Sequence, residues 1–255
     1  MAIKRCSRLL FSIAVLLMLV ACTSDAVRKE PDNEASAKIN ARLGLAYLQQ
    51  GNYELALEKL EKALEQDPKQ AIVHHYLAEL HRQLNSMDEA EKHYKNALKL
   101  TPDDYSLHNN FGVFLCDKKD FDGAERGFLM AVQTAPVHKP RYEFYENLAQ
   151  CMMRKPDWEK AEKYFRIALD VNPRLPVSLY QMARLSFENK KYLRARAFFQ
   201  RYVELSTHTA ETLWLGVRIE RELGDTRVAD EYASQLKVNF PLSNETAKLM
   251  ESEQQ

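Results

Sequence analysis

The stretch Ala41-Arg42-Leu43-Gly44-Leu45-Ala46-Tyr47, followed by Ala56, Leu60, Ala63 and Pro68, decides how this chain is read. Small and large apolar residues stand three or four apart, which places them on one face of a helix. Gly51 interrupts the pattern where a tight turn is needed, and Pro68 stops the second helix after its last useful hydrogen bond. The segment is therefore an antiparallel pair of helices, each letting the other approach over a small residue.

The same pattern then recurs. Ala56, Ala90, Ala124, Ala161, Ala195 and Ala229 are spaced by 34, 34, 37, 34 and 34 residues. A bulky residue follows four later at Leu60, Tyr94, Phe128, Phe165 and Phe199, and Ala233 breaks the rule in the last unit. Ala63, Ala97, Ala131 and Ala168 come next, replaced by Tyr202 and Leu236 at the end. Pro68, Pro102, Pro136, Pro173 and Pro241 close units, with Thr207 in the fifth. First helices match through Leu77-Ala78, Phe111-Gly112, Leu148-Ala149 and Met182-Ala183, whereas the sixth has Gly216-Val217. Period-two alternation is absent over most of the span, so no strand is expected.

This pattern resembles the tetratricopeptide repeat, a 34-residue helical hairpin. The resemblance implies an all-α superhelix of about six helix-turn-helix units, at 37–70, 71–104, 105–138, 142–175, 176–209 and 210–243. Lys139 to Arg141 are extra residues between units three and four, where a bend is expected. Residues 244–255 form a polar tail or a short capping helix. One unit cannot bury its apolar face alone; stacking makes the core. A stack closed in this way needs no second copy, so a monomer is expected.

Composition agrees. With 45 % hydrophobic and 28 % charged residues the chain is not a disordered one, and 7 Gly argue against collagen or a Gly-rich linker. Lys plus Arg and Asp plus Glu are 36 each, which gives no support to a nucleic-acid partner.

The amino end reads as an export signal. Lys4, Arg5 and Arg8 precede an apolar run from Leu9 to Val20 broken by Ser12. As a helix it spans about 18 Å against roughly 30 Å of bilayer hydrocarbon, which favours a signal over a membrane-anchored helix. Leu19-Val20-Ala21-Cys22 resembles the bacterial lipobox, so residues 1–21 are read as a lipoprotein signal peptide and Cys22 as the lipidated residue. Thr23 rather than Asp after it implies the periplasmic face of the outer membrane by the sorting rule of that family. Residues 22–36 then form a flexible lipid tether. The mature chain carries 33 basic and 36 acidic residues, a net charge of −3.

Catalytic signals are thin. There is no phosphate loop, no Gly-x-Ser-x-Gly and no His-Glu-x-x-His. His74, His75 and His81 share one helix, but a third ligand matching His74 and His81 is not evident, so neither metal nor cofactor is expected. Cys116 and Cys151 lie in consecutive first helices, which leaves two readings: a disulfide across the unit boundary, or two buried thiols.

The better functional candidate is the concave face. In the repeat family, positions two, five, nine, twelve and thirteen of each first helix line it. Unit one places Leu45, Leu48 and Gln49 there. Unit two places His75, Glu79, Arg82 and Gln83, and unit three Asn109, Val113 and Asp117. Unit four places Glu146, Gln150 and Arg154, unit five Tyr180, Arg184 and Phe187, and unit six Trp214, Arg218 and Arg221. Such a mixed surface suits an extended peptide or a partner helix. Lys38 and Asn110 match positions of the family's carboxylate clamp, but Tyr76 stands where a clamp needs Asn.

A lipobox leading into six repeats, with Asn109-Asn110-Phe111-Gly112, Cys116 and Cys151, resembles the pilotin-like lipoproteins of type IV pilus biogenesis. That resemblance implies a non-enzymatic factor that helps outer-membrane secretin subunits localise and multimerise. The competing readings are a repeat lipoprotein scaffolding cell-wall hydrolases or outer-membrane protein assembly, and, more remotely, an enzyme.

Overall fold

The computed structural model describes residues 33–254, and among them every regular element is a helix. The described residues fall into two units divided after Lys69. The first holds α1 (Asn33–Gln49) and α2 (Tyr53–Gln66). The second holds α3 (Ala71–Gln83), α4 (Met87–Leu100), α5 (Tyr105–Asp117), α6 (Phe121–Thr134), α7 (Tyr142–Arg154) and α8 (Trp158–Val171). It continues through α9 (Pro176–Glu188), α10 (Tyr192–Val203), α11 (Ala210–Glu222), α12 (Thr226–Asn239) and α13 (Asn244–Ser252). Consecutive helices pair as hairpins, and α13 packs against α11 and α12. No described helix is long and apolar enough to cross a membrane. Residues 1–21, read above as a signal peptide, and Cys22 lie outside the described residues.

The repeated small residues make these hairpins. Ala56, Ala90, Ala124, Ala161 and Ala195 are fully buried, as are the bulky partners Leu60, Tyr94, Phe165 and Phe199. In the α5–α6 hairpin the two backbones come close: a Cβ added to Gly127 would lie 3.2 Å from the Cα of Gly112. In the second unit one apolar cluster runs from Ala78 on α3 to Ile219 on α11. Leu213, Val217, Ala233, Leu236 and Leu249 form another at its carboxyl end. Leu249 is fully buried, so α13 closes the last hairpin; burying such a side chain stabilises by roughly 1.5–3 kcal/mol.

Turn chemistry sets the hairpin ends. Gly51 and Gly224 have φ of 74° and 76°, and Asn85, Lys119 and Lys190 adopt φ of 58°, 64° and 57° in the corresponding turns. Each sits in a pair of reverse hydrogen bonds that absorb the last carbonyls of the first helix, as in Lys119 N to Cys116 O (3.0 Å) and Asp120 N to Leu115 O (2.9 Å). The second helices then start on side-chain caps: Asn52, Asp120, Asp157 and Asp225 each accept a backbone N–H from the first turn. At the far ends, Asp67 and Asn172 accept from the N–H of Lys69 (3.1 Å) and Arg174 (3.0 Å), turning the chain around Pro68 and Pro173.

Three features depart from the sequence reading or add to it. α1 begins at Asn33, inside the span 22–36 read as tether; Ala35, Ala37 and a Glu34–Lys38 ion pair of 2.6 Å favour helix there. The extra residues before α7 place the Arg141 guanidinium on the Val132 and Ala135 carbonyls, both at 2.9 Å, so it caps α6. In the sixth unit the bulky role of the missing aromatic is taken one residue early by Tyr232, whose ring stands edge-on to Phe199 at 5.6 Å.

Candidate functional site

The first helices of the second unit carry a continuous chain of polar contacts. On α3, Glu79 accepts from the Tyr94 hydroxyl and from Arg82 at 2.9 Å. Arg82 reaches across to Asp117 on α5 at 3.4 Å, and Asp117 accepts from Arg154 on α7 at 2.8 Å. One carboxylate thus ties three successive first helices. The Asn110 amide donates to His75 Nε2 at 3.0 Å; burial holds the His75 imidazole below its ordinary pKa, which keeps the acceptor nitrogen free of a proton. Asn147 donates to Asn109 at 3.0 Å, and Glu146 on α7 accepts from Ser178 on α9 through both the hydroxyl (2.6 Å) and the backbone N–H (3.1 Å).

Towards the carboxyl end the face becomes aromatic and basic. The Arg218 guanidinium lies over the Phe187 ring at 4.6 Å and near the Trp214 ring at 5.7 Å, with Glu188 at 3.7 Å. Tyr180 packs its ring on Tyr202 at 5.7 Å, and burial raises its phenol pKa. Arg221 donates to Ser252 at 2.8 Å. Gln83 and Gln150 are exposed, and Val113 and Arg184 are half-buried. In the first unit, Leu45 and Leu48 are half-buried and Gln49 is exposed.

Cys116 and Cys151 are joined in a disulfide that links α5 to α7, with Cα atoms 5.8 Å apart. Both are nearly inaccessible, at 3 % exposure. Beside the bond lies a recess of about 180 Å³ lined by Val113, Cys116, Phe128, Asn147, Gln150, Cys151 and Arg154. The bond therefore underlies the part of the face where Asp117 and Arg154 meet.

The remaining candidates have local roles. Asn110 of the clamp pattern is engaged with His75, and Lys38 pairs with Glu34 at 2.6 Å. His74 and His81 converge on His93 of α4, the first through a 3.0 Å contact between Nδ1 atoms and the second by stacking at 5.4 Å. Burial and the neighbouring imidazoles push His93 down to about 4. Among the described residues no group of three or more His, Cys, Asp or Glu side chains is placed to hold a metal ion.

Sequence spacing missed several members of the face. Glu188 occupies a thirteenth position and was available to the positional rule. Asn147 and Ser178 occupy the sixth and third positions, which the rule does not name; their roles depend on the neighbouring helix.

Comparison with known proteins places this arrangement in context. The tetratricopeptide repeat model matches residues 41–105, 76–138 and 153–208. PilF of Pseudomonas aeruginosa, a type IV pilus assembly protein, is 33 % identical over 206 residues, spanning 80 % of this chain and 81 % of its own length. A solved structure of Pseudomonas aeruginosa PilF aligns with a TM-score of 0.73 and 30 % identity, covering 86 % of this chain and 99 % of that one. The crystal structure of PilW, described as a widely conserved type IV pilus biogenesis factor, aligns with a TM-score of 0.69 and 28 % identity over 84 % and 98 % of the two chains.

Proposed function

The chain belongs to the tetratricopeptide repeat family, and from that premise we propose that it is a non-enzymatic scaffold of type IV pilus biogenesis, acting on the outer-membrane secretin. The observation that carries the reading is the similarity to PilF along 80 % of this chain and 81 % of that protein. The first-helix face supports it, because its chemistry is that of recognition: guanidinium groups, amides and aromatic rings presented from α3 to α11. In this reading Cys22 carries lipid and holds the array on the periplasmic side of the outer membrane. Confinement to that surface raises the effective concentration of the face for secretin subunits arriving there. The face then holds subunits while they multimerise, and no bond is made or broken.

The test is a deletion strain. Loss of secretin multimers and of pili, with other outer-membrane proteins unchanged, is the expected result, together with recovery of the secretin in a pull-down from solubilised outer membrane. Normal multimers in the deletion strain would overturn the role. Mass spectrometry of the mature amino end tests the anchor; an intact, unlipidated start would remove it.

A further inference from the structure

Between α7, α8 and α9 lies a cavity of about 520 Å³ lined by Met153, Trp158, Arg184, Leu185, Glu188 and Asn189. Its wall combines two chemistries. Leu185 is buried and Met153 half-buried, whereas the Trp158 indole, the first residue of α8, is left 49 % exposed. Arg184 stands among these apolar groups, and among the described residues its guanidinium has neither a hydrogen bond nor an ion pair. Its neighbours differ: Arg154 is paired with Asp117 at 2.8 Å and Arg194 with Glu162 at 2.7 Å. The carboxylate on the cavity wall, Glu188, is drawn to Arg218 at 3.7 Å. A half-buried guanidinium with its fork of donors unused is matched by an incoming carboxylate. The apolar wall beside it is matched by an aromatic or large aliphatic side chain.

We propose that this cavity docks an extended acidic segment of a protein partner, with an apolar side chain against Met153, Leu185 and Trp158 and a carboxylate two residues away on Arg184. Alternate residues of an extended peptide lie about 7 Å apart on one face, a spacing that serves both groups from one strand. Arg218, held over Phe187 at 4.6 Å, takes up Glu188 at 3.7 Å, so the Glu188 carboxylate does not neutralise Arg184. The inference rests on the scaffold reading and deepens it by naming the charge and shape of the bound segment.

The experiment titrates the full chain in detergent with two labelled peptides in a Ser-rich background, one with Phe and Asp two residues apart, the other with Phe and Lys at the same places. The acidic peptide binds at least ten-fold more tightly at low salt, and its affinity falls as salt rises. Arg184→Gln removes about ten-fold of that affinity with unchanged thermal melting, whereas Arg126→Gln on the exposed face of α6 leaves it intact. No binding, equal binding of the two peptides, or binding insensitive to Arg184→Gln overturns the inference. So does displacement of the acidic peptide by anionic phospholipid vesicles, which assigns the guanidinium to a headgroup. In cells, multimers retained in the Arg184→Gln strain but lost in the deletion strain defeat this site alone; multimers retained in both defeat the scaffold role.

Discussion

The disulfide gives the sharpest quantitative test of how the array is held. Cys116 and Cys151 are 35 residues apart in sequence, and their bond closes a loop that runs through α6. Chain-entropy arithmetic for a loop of that length gives a loss of about 13 cal/mol/K in the unfolded ensemble, or about 4 kcal/mol at 25 °C. Residual helix in the unfolded chain lowers this, so about 2–4 kcal/mol is expected, a factor of roughly 30 to 1,000 in the local unfolding constant. The variant is Cys116→Ala with Cys151→Ala, because both sites are apolar and almost inaccessible, and alanine leaves no unsatisfied hydroxyl. Urea unfolding followed by circular dichroism, with and without reductant, reads the magnitude. Hydrogen exchange reads the place: protection should fall over α5 to α8 and persist in α10 to α12, because contacts in a repeat stack are nearest-neighbour. Asp117 follows Cys116 directly and Arg154 stands three residues after Cys151, so the 2.8 Å pair between them should loosen with the same variant. A loss below about 0.5 kcal/mol, or one spread evenly over all helices, would refute the entropic argument. Reductant should leave the double variant unchanged.

Three further outcomes follow from particular residues. Gly127→Ala forces a Cβ to 3.2 Å from the Cα of Gly112, backbone that cannot rotate away, and should cost about 1–3 kcal/mol in a denaturation series. Lys190→Gly relieves a left-handed lysine at φ 57° and should stabilise by about 0.5 kcal/mol after the entropy of glycine is subtracted; destabilisation would show that the lysine stem matters more. The His93 imidazole, held at about 4 against an ordinary 6.5 by burial and then by His74, His81 and Lys92, with Glu89 opposing, makes stability depend on pH. Between those values the unfolded chain binds a proton that the folded chain refuses, so stability is full above about pH 6.5 and declines towards pH 4, by about 2 kcal/mol after allowance for solvent and coupling. His93→Gln should flatten that part of the profile in thermal melts taken across the range.

Much of the fold was legible because close packing acts through residue size at fixed intervals. Ala56, Ala90 and Ala124 are fully buried for the reason that made them visible: only a small side chain lets the paired helix approach. What size did not encode was less visible. Lys119 and Lys190 adopt the same left-handed turn as Gly51 and Gly224, but nothing in a lysine announces it; the paired backbone hydrogen bonds around it impose the conformation. The start of α1 at Asn33 was obscured by a polar composition suited equally to a tether and to an exposed helical turn. Arg141 read as part of an insertion, although its guanidinium completes the end of the preceding helix at 2.9 Å.

The candidate face was legible in position and much less so in chemistry, and the reason is geometric. A repeat assigns each first-helix position a direction, so Asp117, Arg154 and Arg218 could be placed on one surface from numbering alone. Whether a given arginine is already neutralised depends on the helix one repeat away. Arg154 meets Asp117 across 37 residues of sequence, and Glu146 meets Ser178 across 32. Arg184 has the same side chain as Arg154 and an equivalent place in the next unit but one turn back, yet lacks such a partner among the described residues. That difference turns a uniform row of polar positions into one with an unneutralised charge at a defined place. A scaffold acts through such differences, because an array whose every charge were internally paired would offer a partner shape without selectivity. Arg184, rather than the better-connected Arg154, is the arginine whose removal should weaken partner binding while leaving the melting temperature unchanged.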